Sequence, residues 1–181
     1  VLGGQQKWMR FSGVATEWDF VEAPSQIFEE WATDYATLAR FATDKDGNTI
    51  PKPLVLKMRK AKEFGKGLWV RHQMFYASVS LGFHSRDPKD LNHDKLVAKM
   101  MTALSPYPFV ETTHMQNSFG HLNGYSAIYY TYMWSLVIAK DLFSKFEKAG
   151  ILDRATAMAY RNAVLKPGGS KDAAQLVEDF L

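Results

Sequence analysis

The sequence contains no cysteine, which excludes disulfides and cysteine-ligated zinc and leaves the redox compartment open. It has no apolar run of about 18 residues, so no membrane span is expected. It has little excess charge: Lys+Arg 22 against Asp+Glu 19 gives +3. That excess is small and scattered, whereas a nucleic-acid footprint needs clustered basic residues, so no nucleic-acid partner is expected. No strongly alternating strand segment, internal repeat or low-complexity stretch is present. Also missing is H-E-x-x-H, which sets two histidines on one helix face with a glutamate base between them. Without it the chain cannot build that kind of zinc site alone. The N-terminal VLGGQQKW lacks the basic leader and apolar core of a signal peptide, and it has no initiating Met. The chain stops at Val177-Glu178-Asp179-Phe180-Leu181, apolar residues in mid-pattern. Both ends look cut.

What is present suits a packed domain or one lobe of a larger one. The chain has 181 residues, of which 46% are hydrophobic and 23% charged. Aromatics reach 14%, with 8 tyrosines and 5 tryptophans.

The pattern is helical nearly throughout. Asp19 to Asp34 reads as the first strong helix, with Asp19 as N-cap and Pro24 in its early turns. Ala36 to Ala42 reads as a short continuation, and Thr43 to Pro53 as a loop around Asp46-Gly47-Asn48. Further helices are predicted over Pro53 to Phe64, Gly67 to Phe83 and Lys95 to Leu104. Ser105-Pro106-Tyr107-Pro108 is a stiff break. Ser126 to Lys148 reads as the longest helix, so apolar in its first half that burial is expected. Ala155 to Leu165 follows, stopped by Pro167-Gly168-Gly169. Ser170 then caps a last helix carrying Asp172 in its first turn, where a negative charge suits the helix dipole. The fold class is all-α, and with no obvious linker residues 1–181 are read as one unit.

Two constellations could carry chemistry. In the first, Asp19 and Glu22 have the spacing of a capping box. The alternative makes Glu22 a metal ligand, and spacing alone does not decide between them. In the second, Gly120 and Gly124 bracket His121 in a short, permissive loop. Tyr125, Tyr129 and Tyr132 follow at i, i+4 and i+7, on one helical face. Such stripes are usually core, but each buried phenol needs a hydrogen-bond partner, which makes three of them a costly filling. A phenol near pKa ~10 stays protonated at neutral pH. A fixed donor of this kind aimed at a developing oxyanion can contribute ~3 kcal/mol to lowering a barrier.

Two weaker signals remain. Glu111-Thr112-Thr113-His114 has the E-x-x-H spacing of di-metal helical bundles, which need a second copy that is absent here. Arg161 could clamp a substrate carboxylate, although a surface arginine at a helix end is commoner.

Phe20-Val21-Glu22-Ala23-Pro24-Ser25-Gln26 resembles the segment that follows H-E-x-x-H in the thimet oligopeptidase, oligopeptidase A and peptidyl-dipeptidase family. Ser118-Phe119-Gly120-His121-Leu122, continuing through Tyr125, Tyr129 and Tyr132, resembles the family's substrate-side loop and helix. The loop between His121 and Tyr125 is one residue shorter than in some members. The resemblance covers essentially the whole chain. It implies the C-terminal lobe of a zinc oligopeptidase catalytic domain, with Glu22 as the third zinc ligand. It gives His121 and Tyr132 transition-state roles, with Tyr132 the oxyanion donor, and assigns Tyr125, Tyr129, Gly120 and Gly124 to substrate. One zinc ion is implied for the intact enzyme, with little or none held by this piece, which is expected to be inactive alone. Short peptides and the upstream part of the domain, carrying H-E-x-x-H, are the implied partners. A soluble protein is expected, cytoplasmic before periplasmic or secreted. A non-catalytic, helical peptide-binding module is the alternative.

Overall fold

The structure is a computed structural model that describes residues 2–181. It is helical, with no strand among the described residues beyond one isolated bridge between Thr43 and Thr49. The all-α expectation is met. Chain packing separates two compact units. The first takes the N-terminal residues up to Phe64 together with Trp134–Leu181; the second is Gly65–Met133.

The first unit begins with α1 (Ala23–Phe28) and α2 (Tyr35–Leu38), followed by α3 (Lys52–Lys62). α1 starts four residues later than Asp19, because a helix from Asp19 would set Pro24 in its second turn. Proline lacks the N–H required there and its ring clashes with the preceding turn. Instead the chain winds through turns, with Phe20 N–H on the Glu17 carbonyl at 3.0 Å and Ala23 N–H on the Phe20 carbonyl at 2.9 Å. Pro24 then lies in the first turn of α1, and Glu22, not Asp19, is the cap residue. Asp34 caps α2, accepting from Thr37 N–H at 2.7 Å.

The same unit contains most of α7 (Thr131–Ala149), α8 (Arg154–Tyr160) and α9 (Ala173–Phe180). Phe20, Ile27, Leu142, Phe146 and Leu176 are buried at its centre. Trp31 packs edge-on against Phe146, with ring centroids 5.1 Å apart, and its indole N–H donates to the Ile151 carbonyl at 2.9 Å. Three sequence expectations change here. The helix expected through Leu165 ends at Tyr160 and continues as a π turn over Arg161–Leu165. α9 is capped from afar: Glu17 Oε1 accepts the Ala173 N–H at 2.7 Å, while the Ser170 hydroxyl bonds the Pro167 carbonyl instead. And α7 is not buried all round, since Trp134 is 57% and Val137 65% exposed, while Ser135 is buried and donates to the Asp19 carbonyl at 2.8 Å. Gly169 faces the Ala15 carbonyl so closely that any Cβ would collide with backbone.

The second unit is built on α4 (Lys66–His84) and α5 (His93–Leu104), which pack along one another. Phe75, Val79 and Val97 form its centre. A Cβ on Gly82 would stand 2.9 Å from Leu96 Cδ2, so the glycine permits the close approach of the two helices. α5 starts at His93, two residues before the expected Lys95, because Asn92 caps it by accepting Lys95 N–H at 2.9 Å. No helix among the described residues is long and apolar enough to cross a membrane.

Tyr160 is 3% exposed, and its hydroxyl has no hydrogen-bond partner among the described residues. Burial pushes its pKa up. Leaving such a group unpaired costs about 1–3 kcal/mol. Tyr160→Phe is therefore expected to stabilise the protein by about 1 kcal/mol, read as a rise of a few degrees in Tm by thermal unfolding.

Candidate functional site

The segment from Phe119 to Tyr132 supplies the site. α6 (His121–Gly124) is a single turn, and Tyr125 ends it with its N–H on the His121 carbonyl at 2.7 Å. The chain does not then continue as the helix expected from Ser126. Ala127 adopts φ +61°, and regular α7 begins only at Thr131. Tyr125, Tyr129 and Tyr132 therefore do not share one helical face. They meet because the turn folds them back.

The result is one aromatic assembly. The His121 ring lies 5.7 Å from Tyr125, 5.3 Å from Tyr129 and 5.7 Å from Tyr132, centroid to centroid. Tyr132 is also 5.2 Å from Tyr125 and 4.9 Å from Tyr129. These separations are those of favourable tilted and edge-to-face pairs. The glycines act by leaving room: neither has a positive φ, and a Cβ at Gly120 or Gly124 would meet nothing within 4 Å. The permissive-loop reading of these two positions gives way to a helical turn with an open face.

α4 contributes residues that the sequence reading did not single out. The Tyr129 hydroxyl donates to Gln73 Oε1 at 3.0 Å. His72 Nε2 and the Tyr76 hydroxyl are 2.9 Å apart, and the Tyr76 ring packs on Phe119 and Tyr129. The Ser80 hydroxyl holds the Tyr125 carbonyl at 3.1 Å. His72, Tyr76 and Ser80, four residues apart along α4, with Gln73 beside His72, were the available signal.

A cleft of about 270 Å³ opens among Tyr76, Phe119, His121 and Tyr129. A larger one of about 800 Å³ lies beside Ser105–Pro108 and includes Glu111, but it gathers no histidine or comparable set of phenols. We place the candidate site by its chemistry, not its volume. His114 pairs with Asp94, Nδ1 to Oδ1 2.9 Å, in a third cleft, so Glu111 and His114 line different clefts.

Glu22 belongs to the first unit. It is half-buried, and its Oε2 accepts from the Ser25 hydroxyl at 2.8 Å; since Glu22 is itself the cap residue of α1, Asp19 does not begin the helix that the capping-box reading expects. A carboxylate oxygen is a fitting zinc donor, but a catalytic zinc takes three protein ligands. No group of three or more His, Asp or Glu residues among the described residues could hold a metal ion. The Glu22 carboxylate has the chemistry of a single zinc donor, and no full donor set forms around it among the described residues.

Burial, with the neighbouring Tyr132 and Tyr76 hydroxyls, pushes Tyr129 up to about 12. In the unfolded chain a tyrosine ionises near ~10. Between these values the unfolded state loses its proton first, so stability is full below pH ~10 and falls as pH rises towards 12. Tyr129→Phe is expected to remove this part of the alkaline decline, as measured by urea unfolding between pH 9 and 12.

The Peptidase family M3 model matches residues 2–181. The chain is 33% identical to dipeptidyl carboxypeptidase of Escherichia coli (strain K12), over 99% of this chain and 27% of that protein. It is 34% identical to thimet-like oligopeptidase of Dictyostelium discoideum, over 94% of this chain and 26% of that protein. It is 31% identical to oligopeptidase A of Escherichia coli (strain K12), over 93% of this chain and 26% of that protein. The chain spans about a quarter of the length of these relatives. A family match over residues 2–181, together with relatives above 30% identity, establishes that the chain belongs to peptidase family M3.

Proposed function

We propose that this chain is the C-terminal portion of the catalytic domain of a zinc metallo-oligopeptidase that hydrolyses peptide bonds in short peptides. The observation that carries the reading is the convergence of His121, Tyr125, Tyr129 and Tyr132 on one another around an open cleft. Membership of the M3 family supports the reaction class. Names of relatives such as oligopeptidase A and thimet-like oligopeptidase support a short peptide as substrate.

Glu22 is the zinc ligand that this chain supplies, and the remaining donors and the general base come from a segment outside it. When bound, the metal supplies an activated water and polarises the scissile carbonyl. The residues of this chain do the rest. Tyr132 donates a hydrogen bond to the carbonyl oxygen as negative charge builds on it, and His121 lies against the Tyr132 ring to share that role. Tyr125 and Tyr129 position the peptide backbone. The open faces at Gly120 and Gly124 let that backbone approach the turn. One carboxylate without the other ligands does not activate water, so the isolated chain is expected to be inactive.

In the full-length protein, Tyr132→Phe is expected to lower kcat by about 10²-fold or more with little change in KM. Unchanged turnover would remove Tyr132 from the mechanism. Glu22→Gln is expected to weaken zinc retention during dialysis, read by metal analysis. Full zinc occupancy in that variant would leave Glu22 a structural residue. Peptide binding without hydrolysis by the full-length protein would favour the non-catalytic module.

A further inference from the structure

A tyrosine hydroxyl has one proton to give and lone pairs to receive with. Where that proton goes decides what the oxygen can offer a ligand. Tyr129 is 8% exposed, and its proton is committed to Gln73 Oε1 at 3.0 Å. A buried hydroxyl holds such a bond firmly, since leaving it unmade costs the full desolvation of the group. Gln73 is half-buried on α4, one residue from His72, whose Nε2 shares a hydrogen bond with the Tyr76 hydroxyl at 2.9 Å. The Tyr76 ring lies 5.5 Å from Tyr129, and both rings line the cleft of about 270 Å³ beside His121. One helix therefore holds the hydroxyls of two phenols, and for Tyr129 it receives the hydrogen bond.

We infer that Gln73 is a positioning residue that accepts the Tyr129 hydroxyl's hydrogen bond, so that Tyr129 presents only lone pairs to the cleft and accepts a hydrogen bond from a backbone N–H of the bound peptide. This rests on the peptidase reading above and deepens it. Tyr129 and Tyr132, 4.9 Å apart by ring centroid, then play opposite parts. Tyr132 donates a hydrogen bond to a carbonyl oxygen, and Tyr129 accepts one from an amide N–H. An extended peptide offers these groups in alternation, so such a pair distinguishes peptide backbone from ligands that carry acceptors alone.

The test uses the full-length protein and steady-state kinetics on a quenched fluorescent peptide. Gln73→Met keeps the shape of glutamine and removes the acceptor; it is expected to raise KM about fivefold and to leave kcat within about twofold. Gln73→Glu can accept but cannot donate, and is expected to return KM to within about twofold of the starting protein. In a Tyr129→Phe background, Gln73→Met is expected to add no further change, because the two residues act through one bond. A Glu variant as impaired as the Met variant would overturn the inference, as would additive effects of Gln73→Met and Tyr129→Phe. A second readout does not need hydrolysis. The tyrosine Cζ resonance of Tyr129, assigned by its loss in Tyr129→Phe, is expected to shift in Gln73→Met. If it shifts while the starting protein cleaves no peptide, the peptidase reading fails and the positioning of Tyr129 stands. If it stays fixed while cleavage proceeds normally, the inference about Gln73 fails and the peptidase reading stands.

Discussion

Ala127 holds φ at +61°, a conformation that costs an alanine about 1 kcal/mol or more, and the site depends on it. A continuous helix through this stretch would carry Tyr125, Tyr129 and Tyr132 along one stripe, and His121 away from part of it. The left-handed residue stops the helix after one turn and restarts it at Thr131, bringing the four rings within 5.7 Å of one another where they touch. Ring contacts, the Ser80 bond to the Tyr125 carbonyl and the Gln73 bond to Tyr129 offset the strain. The backbone cost and the site geometry are two sides of one arrangement. Energy stored in the turn is held there by side chains from α4, which is why that helix belongs to the site although it carries none of the motif.

Much of the fold was legible in the sequence because its punctuation is local. Pro51 before α3 and Pro53 in its first turn, Gly65 before α4 and Asn92 before α5 set boundaries within a residue or two of those expected. The failures have different causes, and only one is a tertiary partner that took the part a neighbour in sequence was expected to play. Ser170 has the chemistry of a cap, but the Glu17 carboxylate reached α9 first. Asp19 has the chemistry of a cap, but Pro24 forbids the helix it would begin. Alanine gives no warning of a positive φ, so the break at Ala127 was invisible where a glycine would have announced it.

The candidate site divides in the same way. His121 and the three tyrosines stand out from the sequence as a motif, because their kinds and order are visible at close range. Gln73 and His72 do not, since their meaning depends on a phenol 56 residues away in one case and on a neighbouring turn of α4 in the other. Glu22 lies between these cases. Its spacing from Asp19 suggests a capping box, and in the structure its carboxylate accepts from Ser25 while the residue itself stands at the cap of a short helix that Pro24 helps to begin.

The Glu17 carboxylate on the Ala173 N–H joins groups 156 positions apart. The first unit is made from both ends of the chain, whereas the second is one uninterrupted stretch, Gly65–Met133. During synthesis, then, the second unit has all of its residues while α8 and α9 are still unmade. The residues of the first unit that precede Gly65 cannot meet their partners on α8 and α9 until those helices have been made. Long-range closure of this kind is slow and exposes sticky surface while it waits. The tyrosine assembly therefore sits in the part of the chain that can mature first, and the stretch bearing Glu22 in the part that matures last.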